Sequence, residues 1–180
     1  LVFADADLDV AVEGAMLAKM RNIGEACTSA NRFIVHESVA ADFSERLAER
    51  MRGLVLGRGT DDAVTTGPLI DQAARDGVHK LVEDAVGKGA DVLVGGAPRD
   101  GAGYFYEPTV LAGVPSDALV QTEEIFGPVA PVISFADEDE AIALANATEY
   151  GLSSYVFTQN LNQAFRVIEA LEVGMVGLNQ

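Results

Sequence analysis

The sequence predicts an α/β fold in which a largely parallel sheet is flanked by helices. Three observations lead there. Helical and strand-like hydrophobic periods alternate along the whole chain, the pattern of βαβ units. The helical stretches between strands are long enough to carry a parallel crossover. No internal repeat, low-complexity tract or long linker divides the 180 residues, so residues 1–180 are read as a single domain.

The elements follow in order. Leu8 to Met20 is helical, with Asp7 as its N-cap and Val10, Ala11, Met16, Leu17 and Met20 on overlapping apolar faces. A short polar, glycine-containing link carries Cys27, and Arg32 to His36 reads as a strand. Ser38 is expected to cap the next helix, whose Val39, Phe43, Leu47 and Met51 recur at every fourth position and form one core-facing stripe. Leu54 to Gly67 is loop. A long helix is expected from Asp71 to Lys88, with Val78, Leu81, Val82 and Ala85 inward and Gly89 as its stop. Val92 to Val94 is a short strand, Gly95 to Gly103 a turn-rich surface loop, and Pro108 to Leu111 and Val129 to Phe135 are two further strands. Asp137 and Glu140 have the spacing of a capping arrangement that opens a helix through Ala147. Ser153 to Phe157 is a strand, and Asn160 caps a helix with Phe165, Ile168 and Leu171 on one side. Met175 to Leu178 closes the series.

Composition narrows the function. Hydrophobic residues make up 49% and charged residues 22%, the balance of a globular domain rather than a disordered one. Lys and Arg number 12 against 28 Asp and Glu, a formal charge of −16 that disfavours nucleic acid and anionic lipid as partners. A single Cys forms no intrachain disulfide, and with two His it falls short of a structural zinc site, so no metal is expected. No apolar run approaches the roughly 18 residues of a membrane span, and the opening residues lack a basic signal-peptide region. A reducing, cytoplasmic compartment is expected. Both ends, Leu1-Val-Phe3 and Gly174 to Gln180, look strand-like, from which the chain is expected to be a piece of a longer polypeptide.

Two segments could carry chemistry. Cys27 follows a helix, beside Gly24 and between polar neighbours, with Arg21 and Arg32 near in sequence; cations and backbone dipoles make a thiol nucleophilic. The same residue also fits a buried, inert Cys. In Gln121-Thr-Glu-Glu-Ile-Phe-Gly-Pro128, a carboxylate could accept hydrogen bonds from a ribose diol and Phe126 could back a flat ring. The segment equally fits a short acidic turn with Phe126 in the core. His36 and His79 leave open a cysteine hydrolase, and a non-catalytic interaction domain is a third reading.

Asn22-Ile-Gly-Glu-Ala-Cys27 followed by Glu123-Glu-Ile-Phe-Gly-Pro128 resembles the aldehyde dehydrogenase family, which has an Asn-x-Gly-[Gln/Glu]-x-Cys nucleophile segment and a Glu-Glu-Ile-Phe-Gly-Pro cofactor segment in this order. Asp5-Ala-Asp-Leu-Asp9, Gly67-Pro-Leu-Ile70, Glu107-Pro-Thr109, Asn146-Ala-Thr-Glu-Tyr-Gly-Leu152 and Gly174-Met-Val-Gly-Leu-Asn179 extend the resemblance over essentially the whole chain. It implies that Cys27 attacks an aldehyde to give a thiohemiacetal, then a thioester once hydride has passed to NAD or NADP. It further implies that Glu124 binds the nicotinamide ribose, that Phe126 packs near the nicotinamide, and that Asn22 supports the loop. The family's general base, its oxyanion-hole Asn and its dinucleotide-binding domain fall upstream of the match, and a C-terminal oligomerisation segment falls after it. The chain alone is therefore expected to be inactive, and the whole enzyme to be a homodimer or homotetramer.

Arg21 is similar to the substrate-binding Arg of the succinate-semialdehyde dehydrogenases in that family, where a guanidinium pairs with the substrate's distal carboxylate. An Arg packed against an acidic surface is the plainer reading. Glu25 stands where Gln is usual, a charge expected near both Cys27 and Arg21, and Ser29 replaces a second Cys found in some of these enzymes.

Overall fold

The structure, a computed structural model, describes residues 1–180. Its helices are α1 (Leu8–Met20), α2 (Glu37–Arg52), α3 (Gln72–Gly87), α4 (Glu138–Asn146) and α5 (Leu161–Ala170). Its strands are β1 (Phe33–His36), β2 (Asp91–Val94), β3 (Thr109–Ala112), β4 (Val129–Phe135), β5 (Ser153–Val156) and β6 (Met175–Leu178).

Strands β1, β4, β3 and β2 form one sheet in that order; β1–β4 and β4–β3 are parallel, and β2 joins the edge antiparallel. Strands β5 and β6 form a parallel pair. Val2 joins the two units, bridging in parallel to Val35 on one side and Phe157 on the other. Its N–H donates to Ile34 O at 2.9 Å, its carbonyl accepts from His36 N–H at 2.8 Å, and Phe157 N–H donates to Leu1 O at 2.9 Å. The result is one continuous, largely parallel sheet. The antiparallel β2 is a departure from strict βαβ order, because residues 95–108 return the chain to β3 without an intervening helix.

Alternate strand residues face opposite layers, as the period of two requires. Phe33, Val35, Val110, Ala130 and Val132 pack with Ala11, Val12 and Ala15 of α1 and Phe43, Leu47 and Met51 of α2. Ile34, Leu111, Val129, Ile133 and Phe135 pack on the other face with Val78, Val82 and Ala85 of α3, Ala141 of α4 and Val167 of α5. Covered on both faces, β4 is buried at every position except Ser134.

Capping matches the expectations at Asp7, Asp137 and Asn160, each accepting backbone N–H bonds in the first turn, and Asp71, expected as the first residue of α3, is its N-cap. Helix α2 differs. His36, not Ser38, is its N-cap: the imidazole Nδ1 accepts from Ser38 N–H at 3.2 Å, because the helix begins immediately after β1. Phe165 also differs, standing 58% exposed while Ala164 and Val167 face inward. The buried stripe is Ala164, Val167 and Leu171, at i, i+3 and i+7, and Gln163 and Arg166 bond Glu138 of α4 beside it. No helix is long and apolar enough to cross a membrane.

Candidate active site

Helix α1 ends in a tight turn, Arg21–Gly24, in which Asn22 (φ 50°), Ile23 (φ 52°) and Gly24 (φ 84°) take left-handed conformations. Asn22 Nδ2 donates to Glu25 O at 2.9 Å, offering the local side-chain bond that makes Asn tolerable there. Glycine at 24 has a second reason: a Cβ there would collide with the carbonyl oxygen of Gly127. The turn before Cys27 therefore lies against the end of the Glu123–Gly127 loop, and the two distant motifs meet through bare backbone.

Cys27 is exposed. The residues after it are tied down one by one. Tyr155 donates its hydroxyl to Thr28 O at 3.0 Å, Ser29 Oγ donates to Lys19 O at 3.3 Å, and Lys19 Nζ donates to Ala30 O at 3.0 Å. Asn31 bonds the backbone of Glu123 and Ile125. Arg32 donates to the carbonyls of Leu144 at 2.8 Å and Ala145 at 3.0 Å, at the end of α4. The guanidinium of Arg32, near Cys27 in sequence, is thus engaged by helix-end carbonyls and anchors the segment.

Cys27, Glu124 and Phe126 line one cavity of about 460 Å³, together with Lys19, Tyr150 and Leu152. Phe126 is 42% exposed, so it is not a core residue, and its φ of 49° is a left-handed conformation rare outside glycine. A free carboxylate, exposed phenyl and leucyl surfaces and a thiol in one cavity suit the vicinal diol and flat ring of a nicotinamide riboside. Arg21 lies in a neighbouring recess of about 250 Å³ that shares Ala26, Ser29 and Tyr155 with the first. None of the ion pairs in the structure includes Arg21, so its guanidinium is not packed onto an acidic partner. Glu25 does not neutralise it; its carboxylate accepts from Ile70 N–H at 3.1 Å and holds the Gly67–Ile70 loop.

Neither histidine lines the Cys27 cavity. His36 caps α2, and His79 Nδ1 lies 3.2 Å from the Tyr106 hydroxyl, so the Cys–His hydrolase geometry is absent. No group of three or more His, Cys, Asp and Glu side chains converges as a metal site.

Lys19 went unnoticed in the sequence, although it continues the buried series Ala11 and Ala15 one helical turn on. It is 1% exposed, and burial pushes its amine down to about 7 from the ordinary 10.5, with the Glu124 carboxylate partly opposing. Between those values the unfolded chain binds the proton and the fold does not, so stability rises with pH across that window. The thermal midpoint of the native protein is expected to climb from pH 7 to pH 9 relative to Lys19→Met, which lacks the titrating group. Parallel pH profiles for the two would contradict it.

Comparison with known proteins agrees with these features. The aldehyde dehydrogenase family pattern matches residues 1–180. The chain is 59% identical over 179 residues to a succinate-semialdehyde dehydrogenase of Paenarthrobacter nicotinovorans, covering 99% of this chain and 40% of that protein. A glutarate-semialdehyde dehydrogenase of Pseudomonas aeruginosa is 50% identical, over 99% of this chain and 37% of its own length. The crystal structure of succinate-semialdehyde dehydrogenase from Burkholderia pseudomallei superposes with a TM-score of 0.97 at 49% identity, over 99% of this chain and 37% of that one. The chain thus spans well under half the length of these relatives. With the family pattern matched from end to end and the nucleophile and cofactor motifs meeting at one cavity, the chain belongs to the aldehyde dehydrogenase family.

Proposed function

We propose that residues 1–180 are the catalytic domain of an aldehyde dehydrogenase that oxidises succinate semialdehyde to succinate with NAD or NADP. The observation that carries this reading is the joint lining of one cavity by Cys27, Glu124 and Phe126, with the unpaired Arg21 in the adjoining recess. Cys27 Sγ, its proton released to solvent, bonds to the aldehyde carbon while the carbonyl pair moves to oxygen, where the Cys27 backbone N–H is the donor. A bound nicotinamide supplies the acceptor for the hydride that leaves this carbon. Cys27 then holds a thioester, which water cleaves to release the acid and restore the thiol.

Glu124 accepts from the ribose hydroxyls, and Phe126 presents its ring to the nicotinamide side of the cavity. Arg21 takes the distal carboxylate. The base that activates the water belongs to the remainder of the enzyme, so these residues alone are inactive; the whole enzyme is a cytoplasmic homodimer or homotetramer. The homology to a glutarate-semialdehyde dehydrogenase favours a second reading, a substrate one methylene longer, held by the same Arg.

The test is kcat/KM for succinate semialdehyde against butyraldehyde in the full-length enzyme and its Arg21→Leu variant. A charged hydrogen bond contributes roughly 1.5–3 kcal/mol, so the variant should lose about 10- to 150-fold of the preference for the acid. Equal use of both aldehydes by the native enzyme, with little change in the variant, would remove the semialdehyde assignment. A higher kcat/KM for glutarate semialdehyde would favour the longer substrate.

A further inference from the structure

We propose that Asn31 is a positioning residue that seats the Glu123–Gly127 loop on the nucleophile segment and so places Glu124 and Phe126 at the Cys27 cavity. The inference rests on the functional reading above and adds a residue to it.

Asn31 Nδ2 donates to Glu123 O at 2.8 Å, and Asn31 Oδ1 accepts from Ile125 N–H at 2.9 Å. These two backbone groups flank Glu124. One planar amide thus meets a carbonyl and an N–H two residues apart, a complementarity that needs a donor and an acceptor on the same side chain. Both bonds span a long stretch of sequence, so Asn31 is not closing a local turn as Asn so often does. They are also the hydrogen bonds that join this loop to the segment after Cys27.

The loop needs such a tie. Ile125 is buried and anchors it from one side, but Phe126 next to it holds a left-handed backbone that a non-glycine residue does not keep unaided. The contact of Gly24 with Gly127 limits approach without supplying attraction. Meanwhile Thr28, Ser29, Ala30 and Arg32 have their own partners, so the nucleophile segment does not depend on Asn31 for its place. Loss of the Asn31 amide should therefore release the cofactor side of the cavity and leave the nucleophile side standing.

The experiment uses the full-length enzyme with Asn31→Ala, which removes both bonds, and Asn31→Asp, which keeps the shape but turns an acceptor toward the Glu123 carbonyl. In both variants KM for NAD(P)⁺ is expected to rise about tenfold. KM for the aldehyde and the rate of Cys27 alkylation by iodoacetamide without cofactor should stay within about twofold, on the same reasoning. An unchanged cofactor KM in either folded variant overturns the proposal. So does a parallel loss of cofactor KM, aldehyde KM and thermal midpoint, or failure of both variants to fold, since each marks a purely structural residue. A native enzyme that oxidises no aldehyde with either cofactor overturns the functional reading itself, and the inference falls with it.

Discussion

Replacing Cys27 with alanine is expected to lower kcat for aldehyde oxidation by at least about 10⁴-fold in the full-length enzyme. The size follows from the chemistry: without the thiol there is no covalent adduct from which hydride can leave and no thioester for water to cleave. Stability should hardly change. The thiol is exposed, and the turn around it is held by Asn22, Lys19, Ser29 and Tyr155 rather than by the cysteine. A shift within about 0.5 kcal/mol is the expectation for such a surface site. Steady-state kinetics beside a thermal melt separates the two effects. Substantial turnover by Cys27→Ala would exclude it as the nucleophile, whereas a large drop in the melting midpoint would give it a structural role.

Gly24→Ala is expected to have the largest structural effect. Two costs coincide there. The backbone at φ 84° is left-handed, which costs an L-residue about 1–2 kcal/mol. The new Cβ also meets the Gly127 carbonyl, a backbone atom with no rotamer in which to retreat, and overpacking of this kind costs about 1–3 kcal/mol. Together they should lower the melting midpoint by roughly 5–15 °C for a chain of this size. Any relief must come from moving the turn away from the Glu123–Gly127 loop, so cofactor binding should weaken as well. Gly59→Ala is the control, because nothing lies within 4 Å of a Cβ built there. Equal behaviour of the two alanine variants would show that the close approach of the motifs is not required.

Most of the fold was legible because its signals are local. Helix α1, strand β4 and strand β6 have the boundaries that their hydrophobic periods and flanking residues predict. The caps at Asp7, Asp137 and Asn160 follow from side chains that bond their own backbone neighbours. The misses have physical reasons. His36 caps α2 because an imidazole nitrogen can accept as a carboxylate does, an option that the usual list of capping residues passes over. Phe165 faces outward because the buried stripe of α5 runs through Ala164, Val167 and Leu171, at i, i+3 and i+7, and Phe165 lies to one side of it.

The site divides in the same way. Cys27, Glu124 and Phe126 were marked by contiguous motifs, and the cavity joins them. Arg21 carries a residue-type signal, but its separate recess could not be read from spacing. Asn31 seats the Glu123–Gly127 loop, and Arg32 and Tyr155 hold the nucleophile segment, all through bonds to residues far away in sequence, and no periodicity reports such pairs. Lys19 did leave a trace, a cation on an apolar stripe, which is the kind of local inconsistency that functional sites produce.

In the proposed mechanism Cys27 carries the acyl group between oxidation and hydrolysis. The most direct test of this step is to mix the full-length enzyme with succinate semialdehyde and NAD(P)⁺, quench in acid during turnover, and map the modified peptide by mass spectrometry. A succinyl thioester on the Cys27 peptide, absent from Cys27→Ala, is the predicted result. Turnover with the acyl group on another residue, or undiminished in Cys27→Ala, would contradict the account.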